Sequence, residues 1–378
     1  MMESKKERNS SIELLKIIAM FMIVISHLAQ SYGTLHTNLP VAQEYFYDLK
    51  IASANINNII MILLRSLGAI GNDIFFICTA WFLVDSKKSN KKKVIEMLLD
   101  VWAINIAILL ILKNGGVNVG KKDEIKAILP NTFALNWYIT CYIIFYIIHP
   151  YLNKLVDRLE KKELLFLSLF MLFLYSIMNT IKGGLFFTSD LIVFVTIYLC
   201  VAYTKKYTIR TISNRKINRS IIILSSILYI VAIVLLNIAG IRITFLNSQM
   251  LHFVKTENIL FLVFAFSLFN LFRSKSFVNK GINNLSKLTL YIYVIHENYL
   301  FRTYIRPYFF VFIKEHLGYD LLPLWIILSA ILLFTVSAIL SWIYKVTLHK
   351  LVVKFADKTY EKLRSVYNRF MEKVMEIK

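Results

Sequence analysis

Ten stretches of this chain are apolar for about the length that a helix needs to cross a bilayer. They read as roughly 12–31, 58–84, 94–112, 133–152, 164–180, 186–204, 220–239, 257–272, 286–305 and 321–344. Lipid offers the backbone no hydrogen-bond partner, so a crossing segment is a helix or part of a closed barrel. The stretches are unbroken rather than alternating, which selects helices. Apolar residues make up 57% of the 378, more than a soluble domain of this size needs. The sequence therefore predicts an all-α fold, a polytopic membrane helical bundle of about ten transmembrane helices. Lys5, Lys6 and Arg8 lead into an apolar run too long for the core of a cleaved leader, so that run is read as the first span.

The formal net charge of +21 raises the question of nucleic acid. Its distribution points elsewhere. With the N-terminus inside, the inner segments hold 31 Lys and Arg and the outer segments hold 11, while Lys16 and Arg65 fall within spans. That bias is the signature of topology, so the expected surroundings are a lipid bilayer and no nucleic acid. Both termini are predicted to be cytoplasmic in a multi-pass protein of the plasma membrane. Cys78, Cys141 and Cys200 lie inside apolar runs, with no disulfide or metal-ligand spacing.

Residues 1–348 read as one transmembrane domain and 349–378 as a separate tail. In the tail Leu348, Val352, Phe355, Leu363, Val366, Phe370, Val374 and Ile377 recur at three-to-four-residue spacing with Lys and Arg between them. This pattern predicts a basic amphipathic helix on the inner leaflet; a partner-binding helix is the alternative.

Charge inside a membrane helix costs about 2.5–3.5 kcal/mol on insertion scales and asks for a reason. Four segments carry such groups: Glu13 and Lys16 running to Ser26 and His27; Gly71-Asn72-Asp73; Asn136-Trp137-Tyr138; and Tyr291 through His296, Glu297 and Asn298. His27 lies eleven residues past Lys16, roughly 16 Å deeper along a helix. His296 lies at similar depth in the ninth span, and Asp73 sits near the middle of the second. Plainer readings stand beside these. Glu13 and Lys16 form an ordinary i,i+3 pair, Asp73 serves a backbone break near Gly68 and Gly71, His27 bonds a neighbouring helix, and His149, before Pro150, packs at the interface.

Taken together, these segments resemble the acyltransferase 3 family of integral membrane acyltransferases, in particular the bacterial branch of polysaccharide O-acetyltransferases. Glu13, Lys16 and His27 match its first helix: an acidic residue, a basic residue, ten residues, then His. GAIGNDIFFICTAWFLV at 68–84, NWYITCYIIFYIIHPYLNKL at 136–155 and LSKLTLYIYVIHENYLFR at 285–302 resemble three later family segments in order. Lys16 stands where many members have Arg, and Thr79-Ala80-Trp81 replaces a Ser-Gly-aromatic turn. Lysines at 87, 88, 91, 92 and 93 stand where some members carry paired arginines.

The resemblance implies transfer of an acetyl or other acyl group from cytosolic acetyl-CoA, as donor substrate, to a hydroxyl of an extracellular or cell-envelope polysaccharide acceptor. No permanently bound cofactor and no metal is expected. Such chemistry needs a base at the hydroxyl and positive or donor groups at the developing oxyanion. His27 is the expected base, Lys16 the donor-orienting cation and Glu13 its partner. Asp73, Trp137, Tyr138, His296 and Glu297 are the expected substrate-binding group. The basic inner loops would attract the CoA phosphates. The alternative is a transporter or flippase of glycans or lipid-linked sugars, in which the same polar groups line a pathway.

Overall fold

The computed structural model describes residues 8–32, 56–182, 189–207, 213–318 and 320–376. Lys5, Lys6, most of the predicted first outer loop, Arg210 and Ile377 lie outside them. In chain order the helices are α1 (Ser10–Tyr32), α2 (Ile56–Leu83), α3 (Lys91–Asn114), α4 (Lys121–Ile128), α5 (Trp137–Arg158), α6 (Lys161–Ile181), α7 (Asp190–Lys206) and α8 (Arg215–Gly240). They continue as α9 (Thr244–Met250), α10 (Ile259–Arg273), α11 (Lys280–Ser286), α12 (Thr289–His296), α13 (Tyr299–Tyr304), α14 (Arg306–Phe312), α15 (Leu322–Val346) and α16 (Leu348–Glu376). No strand occurs among the described residues. The chain is an all-α, multi-pass membrane bundle.

Seven helices (α1, α2, α3, α5, α6, α8 and α15) are long and apolar enough to cross a membrane. Three of the ten expected spans fall short. Helix α7 has 17 residues and α10 has 15, under the roughly 20 that a straight crossing takes. The ninth is not one helix. It breaks after His296, where Asn298 turns its side chain onto the Leu300 and Phe301 amides and starts α13. Asparagine competes with the helical backbone in this way and so favours caps. Asn90, Asn214, Asn258 and Asn279 cap α3, α8, α10 and α11 by the same device.

Helices α1 and α2 form the centre, with α7, α10, α12 and α15 packed around them. Lipid tails are as apolar as the helices, so association relies on close packing rather than on water release. Gly68 and Gly71 permit it. A Cβ on Gly68 would fall 2.3 Å from Ser26 Oγ, and one on Gly71 would fall 2.7 Å from the Ala19 carbonyl oxygen. The expected backbone break near these glycines is absent, because α2 runs unbroken from Ile56 to Leu83. Phe76 stacks on Phe194 at 4.0 Å and meets Phe145 edge-on at 4.9 Å, which fixes α2 against α5 and α7. Outer helices turn Phe166, Leu169, Ile223 and Leu224 outward, as a lipid-facing surface requires.

The tail is helical, as its periodicity predicted. Helix α16 buries Val352 and Ala356 and leaves Leu351, Phe355, Leu363 and Phe370 exposed. Lys92 pairs with Asp357, and Lys91 lies over the Tyr367 ring at 5.3 Å, so the helix docks on α3.

Candidate active site

On an ideal helix, eleven residues make three turns plus about 20°. Lys16 and His27 therefore share one face of α1, roughly 16 Å apart. Lys16 Nζ is 2.7 Å from Glu13 Oε2. Glu13 also accepts from the Ser286 hydroxyl, and Arg8 lies 3.9 Å away. Lys16 opens onto a cavity of about 320 Å³ that also meets Arg8, Lys93, Lys287, Thr79, Tyr138 and Tyr142. Four cations and two carboxylates, Glu96 and Asp100, thus border one cavity at the start of α1, a net excess of positive charge.

At the other end of the stripe, His27 Nδ1 lies 3.0 Å from His296 Nε2 and 3.0 Å from Glu297 Oε2. The two imidazoles stack with centroids 5.2 Å apart. Proton positions follow from the partners. His296 Nδ1 is 2.7 Å from the Ile292 carbonyl, which only accepts, so that nitrogen carries the hydrogen. Neutral His296 then presents a bare Nε2, and His27 Nδ1–H donates to it and to Glu297. In neutral His27 the lone pair is left on Nε2. A carboxylate that fixes Nδ1–H in this way orients an imidazole for general-base work and stabilises its protonated form.

Glu297 is fixed in turn by two guanidinium groups. Arg302 reaches Oε1 at 2.6 Å; Arg306 reaches Oε2 at 2.8 Å and the His296 carbonyl at 2.6 Å. Arg306 is only 1% exposed. The break after α12 brings all this together. Asn298 caps α13 and donates to Asn105 Oδ1 at 2.9 Å, which anchors the break to α3. Irregular backbone at membrane depth is tolerated where protein encloses it.

His27 borders a second cavity of about 380 Å³ with Arg65, Asn72, Trp137, Asp190 and Glu257. An indole face beside carboxylate, amide and hydroxyl groups suits a polyhydroxylated ligand. Of the residues the sequence singled out, Trp137 meets this cavity and Tyr138 meets the Lys16 cavity. His296 and Glu297 contact His27 directly. Asp73 borders neither cavity: it is buried, and its Oδ2 has no hydrogen-bond partner among the described residues. Its neighbour Asn72 takes the place expected of it, because adjacent residues on a helix point about 100° apart. His149 is buried within the protein, with Nδ1 2.6 Å from the Tyr146 carbonyl.

Arg302 and Arg306 escape a reading based on sequence alone because they look like ordinary charges of an outer loop. Asp100 and Asn105 fall inside the predicted third span, a polar signal that the four segments named from the sequence leave out. Asp100 accepts from Tyr344 at 2.6 Å and lies 2.9 Å from His349 Nδ1, with Glu96 at 3.6 Å from His349 Nε2. The ligand atoms of Glu96, Asp100 and His349 lie within 4.8 Å of one another, as do those of His27, His296 and Glu297. In the second trio two guanidiniums already compensate Glu297 and His296 Nδ1 is committed to a carbonyl, so a hydrogen-bonded relay fits it better than a divalent cation.

These features define an integral membrane protein with a carboxylate-held imidazole at the edge of a polar cavity and a second cavity, bordered by cations, at the start of the same helix. A family model described as an acyltransferase domain, that of the acyltransferase 3 family, matches residues 9–343. The chain belongs to this family, and it is a membrane acyltransferase. No curated protein and no solved structure matches it.

Proposed function

We propose that this acyltransferase moves an acetyl, or other short acyl, group from cytosolic acyl-CoA to a hydroxyl of an extracellular or cell-envelope polysaccharide. The observation that carries this reading is the placement of His27. It borders the polar cavity, is held by Glu297, and shares one helix face with Lys16 at the basic cavity. Arg8, Lys16, Lys93 and Lys287 supply the charge that CoA phosphates need. Trp137, Asp190 and Glu257 supply the surface a sugar needs. On this reading the basic cavity faces the cytoplasm of a plasma-membrane protein with both termini inside, and α16 lies along the inner leaflet.

His27 acts as the base, Lys16 orients the donor, and Glu13 holds Lys16. Trp137 and Asn72 contact the acceptor. The test is the acetate released by mild base from envelope glycan of a deletion strain complemented with wild type or variants at matched expression. His27→Ala should restore none, and Lys16→Arg should restore most, because the charge remains. Purified protein that binds no acetyl-CoA would favour a transporter of glycans or lipid-linked sugars instead.

A further inference from the structure

Two buried phenols, Tyr138 and Tyr293, pack against each other near the His27–His296 pair. Tyr138 borders the Lys16 cavity, and Trp137, its neighbour, borders the His27 cavity. The Tyr293 ring is 5.9 Å from Tyr138, 6.4 Å from His27 and 5.8 Å from His296. Both hydroxyl oxygens are buried and make no hydrogen bond among the described residues. The Tyr293 hydroxyl lies close to the Tyr138 backbone N–H, and its own O–H finds no acceptor among the described residues. That amide belongs to the first turn of α5, where N–H groups have no intrahelical acceptor. The Asn136 side chain makes no capping hydrogen bond there, and its Oδ1 is also buried without a partner among the described residues.

A buried hydroxyl without a partner destabilises a fold relative to the ring that lacks it. Phenylalanine would fill either position without that penalty. Donors held unpaired beside a base, at the positive end of a helix, are what a developing oxyanion requires.

We propose that the Tyr293 and Tyr138 hydroxyls, with the amides opening α5, receive the carbonyl oxygen of the acyl group as it is transferred. The inference rests on the acyl-CoA reading above. In the step, His27 Nε2 takes the proton of the acceptor hydroxyl as that oxygen bonds to the thioester carbon. The carbonyl π pair moves onto oxygen, where the two phenols donate to it. When the carbonyl reforms, the carbon–sulfur bond breaks. The CoA thiolate leaves with that pair and takes the proton from His27. The products are an ester and CoA thiol, and the enzyme returns to its starting protonation.

The experiment uses the full chain in nanodiscs, with acetyl-CoA as donor and the envelope polysaccharide fraction of the deletion strain as acceptor. It reads thiol release, acetyl-CoA affinity and melting temperature for wild type, Tyr293→Phe and Tyr138→Phe. Removal of one such donor lowers kcat about 10²–10³-fold. The expected result is a fall of that order with Tyr293→Phe and a smaller one with Tyr138→Phe. Acetyl-CoA affinity should stay within about threefold, because the oxyanion interaction forms only in the transition state. Melting temperatures should hold or rise. Wild-type turnover in both variants, or a rate loss matched by a lower melting temperature, would overturn the inference and leave the acyl-CoA reading standing. A wild-type protein that neither binds acetyl-CoA nor releases thiol would overturn both.

Discussion

His27 of the first helix and Glu297, at the break that follows α12, meet with Nδ1 and Oε2 3.0 Å apart. Through this contact a residue some sixteen ångströms along α1 from the basic cavity gains a fixed tautomer. Truncation of His27 to Ala removes the proton acceptor together with its contacts to His296 and Glu297, while Ala keeps α1 helical and the two arginines still hold Glu297. Turnover per folded molecule should fall by about 10²–10⁴-fold, the usual worth of a positioned base, with the protein still inserted in the membrane. Glycan acetate at matched expression is the measurement. Full acetylation would remove His27 from the mechanism.

Arg306 and Arg302 bind the same carboxylate from different environments. Arg306 is almost fully enclosed, while the Arg302 side chain is 29% exposed. Breaking a buried pair strands the remaining charge, at about 3–5 kcal/mol; losing the part-exposed Arg302 costs less, because Glu297 keeps its contact with Arg306. Arg306→Met should therefore collapse yield and thermal stability, whereas Arg302→Met should leave a folded protein. Equal stability of the two variants, measured by thermal unfolding in detergent, would contradict the burial argument.

Gly71 sets the separation of α1 and α2. A methyl group there meets the Ala19 carbonyl oxygen at 2.7 Å, and backbone cannot turn aside as a side chain does. Gly71→Ala should destabilise by about 1–3 kcal/mol through overpacking and should shift His27 relative to Glu297, lowering activity per folded molecule. If activity per folded molecule matches wild type, the close approach is not what places His27.

The His149 side chain of α5 is buried within the protein. His149→Ala should lower thermal stability by about 1–3 kcal/mol, as a cavity-forming change does. Turnover per folded molecule should stay near wild type, since His149 borders neither cavity. A large loss of turnover in a fully stable variant would place it in the mechanism.

The tail carries a pH dependence. His349 is hydrogen-bonded to Asp100, which raises its pKa above the ordinary 6.5. Glu96 of α3 raises it further, while burial and Lys345 of α15 oppose; the Tyr291 and Tyr344 hydroxyls complete its surroundings. The docked helix then binds the proton more tightly than the released one. Docking is fully supported below about pH 6.5 and weakens as pH rises through the raised value. Hydrogen exchange of backbone amides 350–376 in nanodiscs, corrected for intrinsic rates, should show protection lost with rising pH in wild type but not in His349→Gln. An identical profile in the two would exclude this latch.

Hydropathy and spacing fixed the spans of α1, α2, α3, α5, α6, α8 and α15 and the helical tail, because each of these depends on neighbours within a few turns. The pairing of Glu13 with Lys16 was readable for the same reason, as i,i+3 residues on one helix must meet. The order of polar segments supported the family and marked His27, His296 and Glu297. Their meeting depends on how α1 packs against the segment from α12 to α13, and Gly71, Asn298 and Asn105 decide that across helices. The same packing turned Asn72 rather than Asp73 toward the cavity, enclosed His149, and converted two loop arginines into the clamp on Glu297. Helix formation is a local property of sequence, whereas the rotation and depth of one helix against another are set by side chains far away in the chain. For that reason His27, His296 and Glu297 could be named from the sequence, and only the tertiary structure decided that they touch and which further residues join them.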